Sequence, residues 1–201
     1  MPTRCCRYSL RLKIRTCVTL RDLEWDRLLG RHKNKQARST PALVNMSETL
    51  TFMMGEFAAE FPTDRQYAVN HMWAQEQSDG NLRFGFSAYA VRLLQDVYFL
   101  DWNIDAPSTL TAGQEIGSIE SKKAESSLYS PLRANLLRFN DQLMEDPSAI
   151  NTDKYNQGWL FETDNQPQEE PQQLLSAEAY LELLITVWEK TQRTIKGQLN
   201  E

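Results

Sequence analysis

Residues 115–131 read Glu115-Ile116-Gly117-Ser118-Ile119-Glu120-Ser121-Lys122-Lys123-Ala124-Glu125-Ser126-Ser127-Leu128-Tyr129-Ser130-Pro131. Two short strand-like runs, 115–121 and 125–130, flank Lys122-Lys123-Ala124, so the segment reads as strand, turn, strand with lysines at its tip. After Pro131 a third run extends from Asn135 to Phe139. An exposed lysine in a turn is ordinary by itself, and its meaning depends on the chain around it.

Working outward, the pattern stays that of short strands. Tyr67, Val69, His71 and Trp73 recur with a period of two, which places them on one face of a strand. Ser78-Asp79-Gly80-Asn81 then turns the chain into Leu82, Phe84 and Phe86, completing a hairpin. Ser87 is a natural N-cap for a short helix at 88–94, because its hydroxyl can accept from orphan backbone N–H groups. A strand at Val97–Trp102 runs into a loop around Pro107. A polar excursion through Asn140-Asp141 and Asp146-Pro147 returns through Gly158-Trp159-Leu160-Phe161. Evenly spaced short strands of this kind predict a mostly β fold, a small sandwich or flattened barrel.

Helices are expected at both ends of this meander. Leu50, Met53, Met54, Phe57 and Phe61 recur at three- and four-residue spacing, predicting an amphipathic helix within residues 46–62 that stops before Pro62. Residues 164–173, rich in Pro, Gln and Glu, read as a linker. A long helix follows from Ala177 to about Lys196, capped by Ser176, with Tyr180, Leu184, Val187, Trp188, Thr191 and Ile195 as its apolar stripe. That stripe is expected to cover a sheet edge.

Charge divides the chain. Residues 1–45 hold 11 Lys and Arg against 3 acidic residues, whereas the remaining residues hold 11 against 24. The basic head, with Asp22-Leu23-Glu24-Trp25-Asp26 interrupting it, reads as an extension upstream of a natural start at Met46. An organelle transit peptide is the alternative reading. The acidic body repels phosphate backbones and argues against nucleic acid, and no apolar stretch is long enough for a membrane helix. Cys5, Cys6 and Cys17 all lie in the head, so the body holds neither a thiolate nucleophile nor a cysteine metal site. His71 is then the one imidazole in the body, a packed strand histidine rather than a catalyst, and Trp73 and Trp159 are expected in the core. No catalytic residue and no metal ligand set is expected.

The central segment resembles the glycine cleavage H-protein family, which carries Glu-Ser-x-Lys-Ala followed shortly by Tyr-Ser-Pro. Here these are Glu120, Ser121, Lys123, Ala124, Tyr129, Ser130 and Pro131. The similarity continues through His71, Trp73, Gly85 and Asp96-Val97 upstream, and through Asn140, Pro147, Asn151, Tyr155, Gly158, Trp159, Phe161 and Ser176-Ala177-Glu178 downstream. It implies a lipoyl-type domain over 63–163, built of two small antiparallel sheets, with linker and helix at 164–201. It also implies lipoate in amide linkage to Lys123, the family spacing choosing Lys123 over Lys122. The implied partners are the decarboxylating P protein, the aminomethyltransferase (T protein), dihydrolipoyl dehydrogenase (L protein) and a lipoyl ligase or transferase. Such a carrier shuttles the aminomethyl group of glycine from P to T. It works in a bacterial cytoplasm, or in the mitochondrial matrix if the head is a transit peptide.

Departures from the family pattern mark a divergent branch. Ala134 stands where a turn glycine is usual, which suggests a turn shifted by one residue onto Asn135. Met72 replaces a common acid and Gln95 a common glycine. Rival readings are a lipoyl carrier or lipoate donor for another enzyme system, and an unmodified interaction module with the same fold. A biotin carrier typically places Met on both sides of its lysine, which Lys122 and Ala124 do not.

Overall fold

The computed structural model describes residues 48–165 and 174–198, with side chains as far as Trp188 in the last helix. The basic head and most of the 164–173 segment lie outside the described residues. The elements in chain order are β1 (Thr49–Met54), β2 (Phe57–Pro62), β3 (Gln66–Ala68), β4 (Met72–Glu76), β5 (Leu82–Phe86), α1 (Ala88–Leu94), β6 (Val97–Trp102), β7 (Ser108–Leu110) and β8 (Glu115–Ser121). There follow β9 (Glu125–Tyr129), β10 (Ala134–Phe139), α2 (Gln142–Glu145), α3 (Ser148–Thr152), β11 (Trp159–Thr163), β12 (Leu174–Leu175) and α4 (Ala177–Gln198).

The expected mostly β fold is what these elements build. Among the described residues the strands form three antiparallel sheets: β1-β2, a seven-stranded sheet ordered β12-β3-β4-β5-β11-β10-β7, and a three-stranded sheet ordered β6-β8-β9. Two apolar clusters hold them. One gathers Phe84, Leu110, Ile116, Ile119, Leu136 and Phe161 between the two larger sheets. The other gathers Phe52, Phe61, Tyr67, Trp73, Tyr89, Tyr180 and Leu184 beneath α4. Strand β4 feeds both, because successive side chains point to opposite faces: Met72 and Ala74 enter the first cluster and Trp73 the second. Gly85 lies across from Trp73, and a Cβ there would fall 2.5 Å from the indole.

The helix expected within 46–62 is instead the β1–β2 hairpin. Leu50, Phe52 and Met54 alternate inward with a period of two, as do Ala59 and Phe61, while Met53 and Phe57 are exposed. Helical spacing captured a mixture of the two faces and omitted Phe52. What decides against the helix is Gly55, held at φ 71 in a two-residue loop between partners Met54 and Phe57. Glycine at the first central position suits such a loop and weakens a helix.

A second correction falls at Tyr67–Trp73, which is not one strand. The chain reverses after Ala68, His71 takes φ 66 with its N–H donating to Ala68 O, and Tyr67 and Trp73 become cross-strand partners. The period of two survived because opposite partners in a hairpin share a face. His71 is therefore a turn residue. Near Ala134 no turn has shifted: neither Ala134 nor Asn135 has positive φ, and Ala134 opens β10 opposite Leu110. Trp159 is only half-buried, lying under the guanidinium groups of Arg83 and Arg138 at 4.6 and 5.2 Å. Both arginines bond Glu162; burial alone would raise that carboxyl, but these hydrogen bonds and charges hold it below its usual range.

Other readings of the elements hold. Ser87 Oγ accepts from Ala90 N at 3.3 Å, and Ser176 Oγ from Ala179 N at 3.3 Å, as N-caps should. The α4 stripe is buried at Tyr180 and Leu184 and half-buried at Val187 and Trp188. It covers the hairpin and the β12–β3 edge rather than that edge alone.

Candidate functional site

The three-stranded sheet carries the lysines. β8 and β9 pair from Glu115↔Tyr129 to Glu120↔Glu125, and the turn Ser121-Lys122-Lys123-Ala124 closes the hairpin. Neither lysine has positive φ, so this two-residue loop lacks the backbone twist that usually matches flanking strands. Ser121 supplies the missing closure. Its N–H donates to Ala124 O at 3.1 Å, its hydroxyl donates to the same oxygen at 3.0 Å, and its Oγ receives Ala124 N at 3.3 Å.

The two lysines are placed differently. Lys122 N–H is shared between the carbonyls of Gln95 and Asp96 at 3.1 and 3.3 Å, and its ammonium pairs with the Asp96 carboxylate. Both side chains of that pair are largely exposed, so it contributes little stability, yet it fixes where the Lys122 amine goes. Lys123 is exposed, and no hydrogen bond or ion pair holds its amine among the described residues. One lysine docks the turn and the other presents an amine to solvent.

The turn is docked onto a strained loop. Gln95 and Asp96, between α1 and β6, have φ 52 and 53. At Gln95 this is the position where the family often has glycine, so the departure seen in the sequence falls where a Cβ is disfavoured. Gln95→Gly is therefore expected to raise stability by about 1 kcal/mol, the relieved strain exceeding the entropy glycine adds to the unfolded chain. A urea midpoint equal to or below that of the parent would contradict this.

Asn151 anchors the far side of the same loop. Its side chain accepts from Val97 N at 2.9 Å and donates to Val97 O at 2.8 Å, joining α3 to the first residue of β6. Further along, Gly117 lets β6 approach β8. A Cβ there would meet the Asp101 carbonyl oxygen well inside van der Waals contact, and that neighbour is backbone. Gly117→Ala is expected to cost about 2 kcal/mol, read as a lower midpoint in denaturant with an unchanged slope; an unchanged midpoint would refute the tight approach.

His71 is far from this role. It is 5 % exposed, its Nδ1 lies 2.9 Å from Tyr180 OH, and Ser87 Oγ lies 3.0 Å from the same hydroxyl. Burial pushes its imidazole down to about 4 and pushes the Tyr180 hydroxyl well above the usual phenol range. The group is a structural clasp between the β3–β4 turn and α4. Among the described residues no cluster of His, Cys, Asp and Glu could hold a metal ion, and no helix is long and apolar enough to cross a membrane.

Residues 65–186 match the profile of the family described as Glycine cleavage H-protein. The chain belongs to that family. Two relatives named glycine cleavage system H protein, from Pseudoalteromonas atlantica and Mycolicibacterium vanbaalenii, are 35% and 39% identical over 122 and 127 residues. Each match spans 61% of this chain, and 94% and 95% of the relative. The crystal structure of a glycine cleavage system H protein from Mycobacterium marinum superposes with a TM-score of 0.52 at 32% identity, over 60% of this chain and 95% of that one. The lipoyl-type architecture expected from the resemblance is thus shared with the family. The matched region begins after the β1–β2 hairpin, which is additional to it.

Sequence reasoning singled out Lys123 but not its supports. Asp96 and Asn151 were noted only as points of resemblance, and Gln95 only as a departure. Pairing of β6 with β8, which brings Gln95 and Asp96 to Lys122, left no local signal.

Proposed function

We propose that Lys123 carries lipoate in amide linkage and that the chain serves glycine cleavage as its carrier subunit. The single observation that supports this most is the division of labour in the turn. Lys122 is engaged by Gln95 and Asp96, while Lys123 is exposed and without a polar partner among the described residues. An amine so placed fits an acyl group that must move between partners.

The chain's part in the chemistry is presentation. Ser121 and the Gln95–Asp96 carbonyls hold the turn rigid at its base, and the lysine stem supplies reach. Lipoate, when attached, supplies redox and group-carrying chemistry through its dithiolane. The chain contributes no general acid or base and acts as a carrier rather than a catalyst. It is presented in turn to the decarboxylating P protein, from which it takes the aminomethyl group of glycine, to the T protein that removes it, and to the dihydrolipoyl dehydrogenase. A lipoyl ligase or transferase installs the arm.

The test is intact mass and peptide mapping of the full chain from a host that lipoylates its other carriers. A lipoyl adduct on the peptide containing Lys123 is expected. A wholly unmodified chain would overturn the reading and favour an interaction module of the same fold.

A further inference from the structure

Strand β6 is an edge of the sheet that bears the lysines, and it carries Tyr98 and Phe99 in succession, 58% and 47% exposed. Consecutive strand residues should face opposite sides. Here they do not, because a bulge interrupts the β6–β8 register: Val97 pairs with Ser121 and Phe99 with Glu120, leaving Tyr98 as the extra residue. The inward residues Val97 and Leu100 are consequently three positions apart and both buried. A bulge that re-aims side chains at a sheet edge is a typical feature beside functional sites. This one lifts two aromatic rings to the surface within a few residues of Lys123.

The surrounding charges point the same way. Glu120 and Glu125 are direct cross-strand partners at the base of the turn, a like-charge pair that destabilises a hairpin. The exposed Asp101 lies two residues beyond Phe99 on the same strand. Lys122 is already engaged by Asp96, and Lys123 forms no ion pair among the described residues, so neither ammonium is paired with these carboxylates. An aromatic ledge bordered by uncompensated carboxylates suits a partner whose surface offers an apolar recess within a basic rim.

We propose that the Tyr98–Phe99 bulge is the docking contact for the enzyme that acylates Lys123, an enzyme presenting such a basic-rimmed recess. This rests on the reading of Lys123 as the carrier lysine. The acylating enzyme is the occupant because it must reach the bare amine, one side chain from the backbone, so its surface has to meet the neighbouring strand. Partners that meet the tip of an extended arm can stand farther off.

The test uses the full-length unmodified chain as substrate for a lipoate–protein ligase with lipoate and ATP, with adduct formation followed by intact mass. Tyr98→Thr with Phe99→Thr keeps residues that favour strands and is expected to lower the second-order rate constant at least about tenfold. The loss should lie in KM, with the saturating rate kept. Asp101→Lys with Glu125→Lys is expected to act in the same direction, and the parent rate should fall as salt rises. Ile185→Gln, an exposed apolar site on α4, should leave the rate unchanged, and thermal melts should confirm folding of each variant. Parent-like kinetics in both double variants, with the parent modified at Lys123, would overturn the docking proposal alone. An adduct that persists in Lys123→Arg would overturn the underlying reading instead.

Discussion

Lys123→Arg is expected to abolish the lipoyl adduct completely, whereas Lys122→Arg is expected to keep it. Arginine preserves length and charge, but its guanidinium stays protonated and is no acyl acceptor. The substitution therefore removes the chemistry without removing the shape. At position 122 arginine can still pair with Asp96, and the backbone bonds to Gln95 and Asp96 do not depend on the side chain. The hairpin base, closed by Ser121, should be unaffected by either change. Intact mass and peptide mapping of both variants from a lipoylating host decide the matter, and both should melt at the parent temperature. An adduct on Lys122 in Lys123→Arg would show that the turn does not select its lysine by docking the other.

Acidification should weaken the fold through His71 before its carboxylates are protonated. The imidazole sits near 4 in the folded chain and at about 6.5 when unfolded, so between these values the unfolded state binds more protons. Stability therefore rises with pH across that window, is fully present above about 6.5, and falls by about 3 kcal/mol on descending to pH 4. The groups facing His71 offer no compensating charge. Tyr180 has its ionisation suppressed by burial, Ser87 is neutral, and Tyr89 packs its ring at 4.6 Å. Carboxylates held below their usual range, such as Glu162 and Glu178, withdraw their contribution at lower pH. Urea unfolding at pH 7.5 and 5.0 should thus show a large loss in the parent. The loss should be much smaller in His71→Asn, which tolerates the positive φ and does not titrate. Equal losses in both would remove His71 as the cause.

What could be read along the chain was whatever depended on neighbours in sequence. The β8–turn–β9 unit, β6, the cap at Ser87 and the α4 stripe all follow from alternation, capping and helical spacing over a few residues. Residues 49–62 were misread because apolar side chains at Leu50, Met53, Met54 and Phe57 satisfy helical spacing as well as they do two strands with mixed faces. Gly55 settles the choice only once the two strands have something to pack on. The β3–β4 turn was hidden because opposite partners in a hairpin mimic the alternation of one strand. Short β7 and β12 carried too few residues to show a period.

The sequence by itself determined a mostly β chain of short strands with an exposed lysine pair on a tight turn, and the resemblance pointed to one lysine of that pair. Those are consequences of local geometry, which acts over a few residues. Tertiary structure alone decided how the pair is divided, with Lys122 bound by Gln95 and Asp96 from the loop before β6, and Lys123 left exposed. It also decided that Tyr98 and Phe99 face solvent together, since a bulge exists only relative to the strand it pairs with. Both depend on which strands become neighbours, and that is set by burying the two apolar clusters rather than by any short stretch of chain.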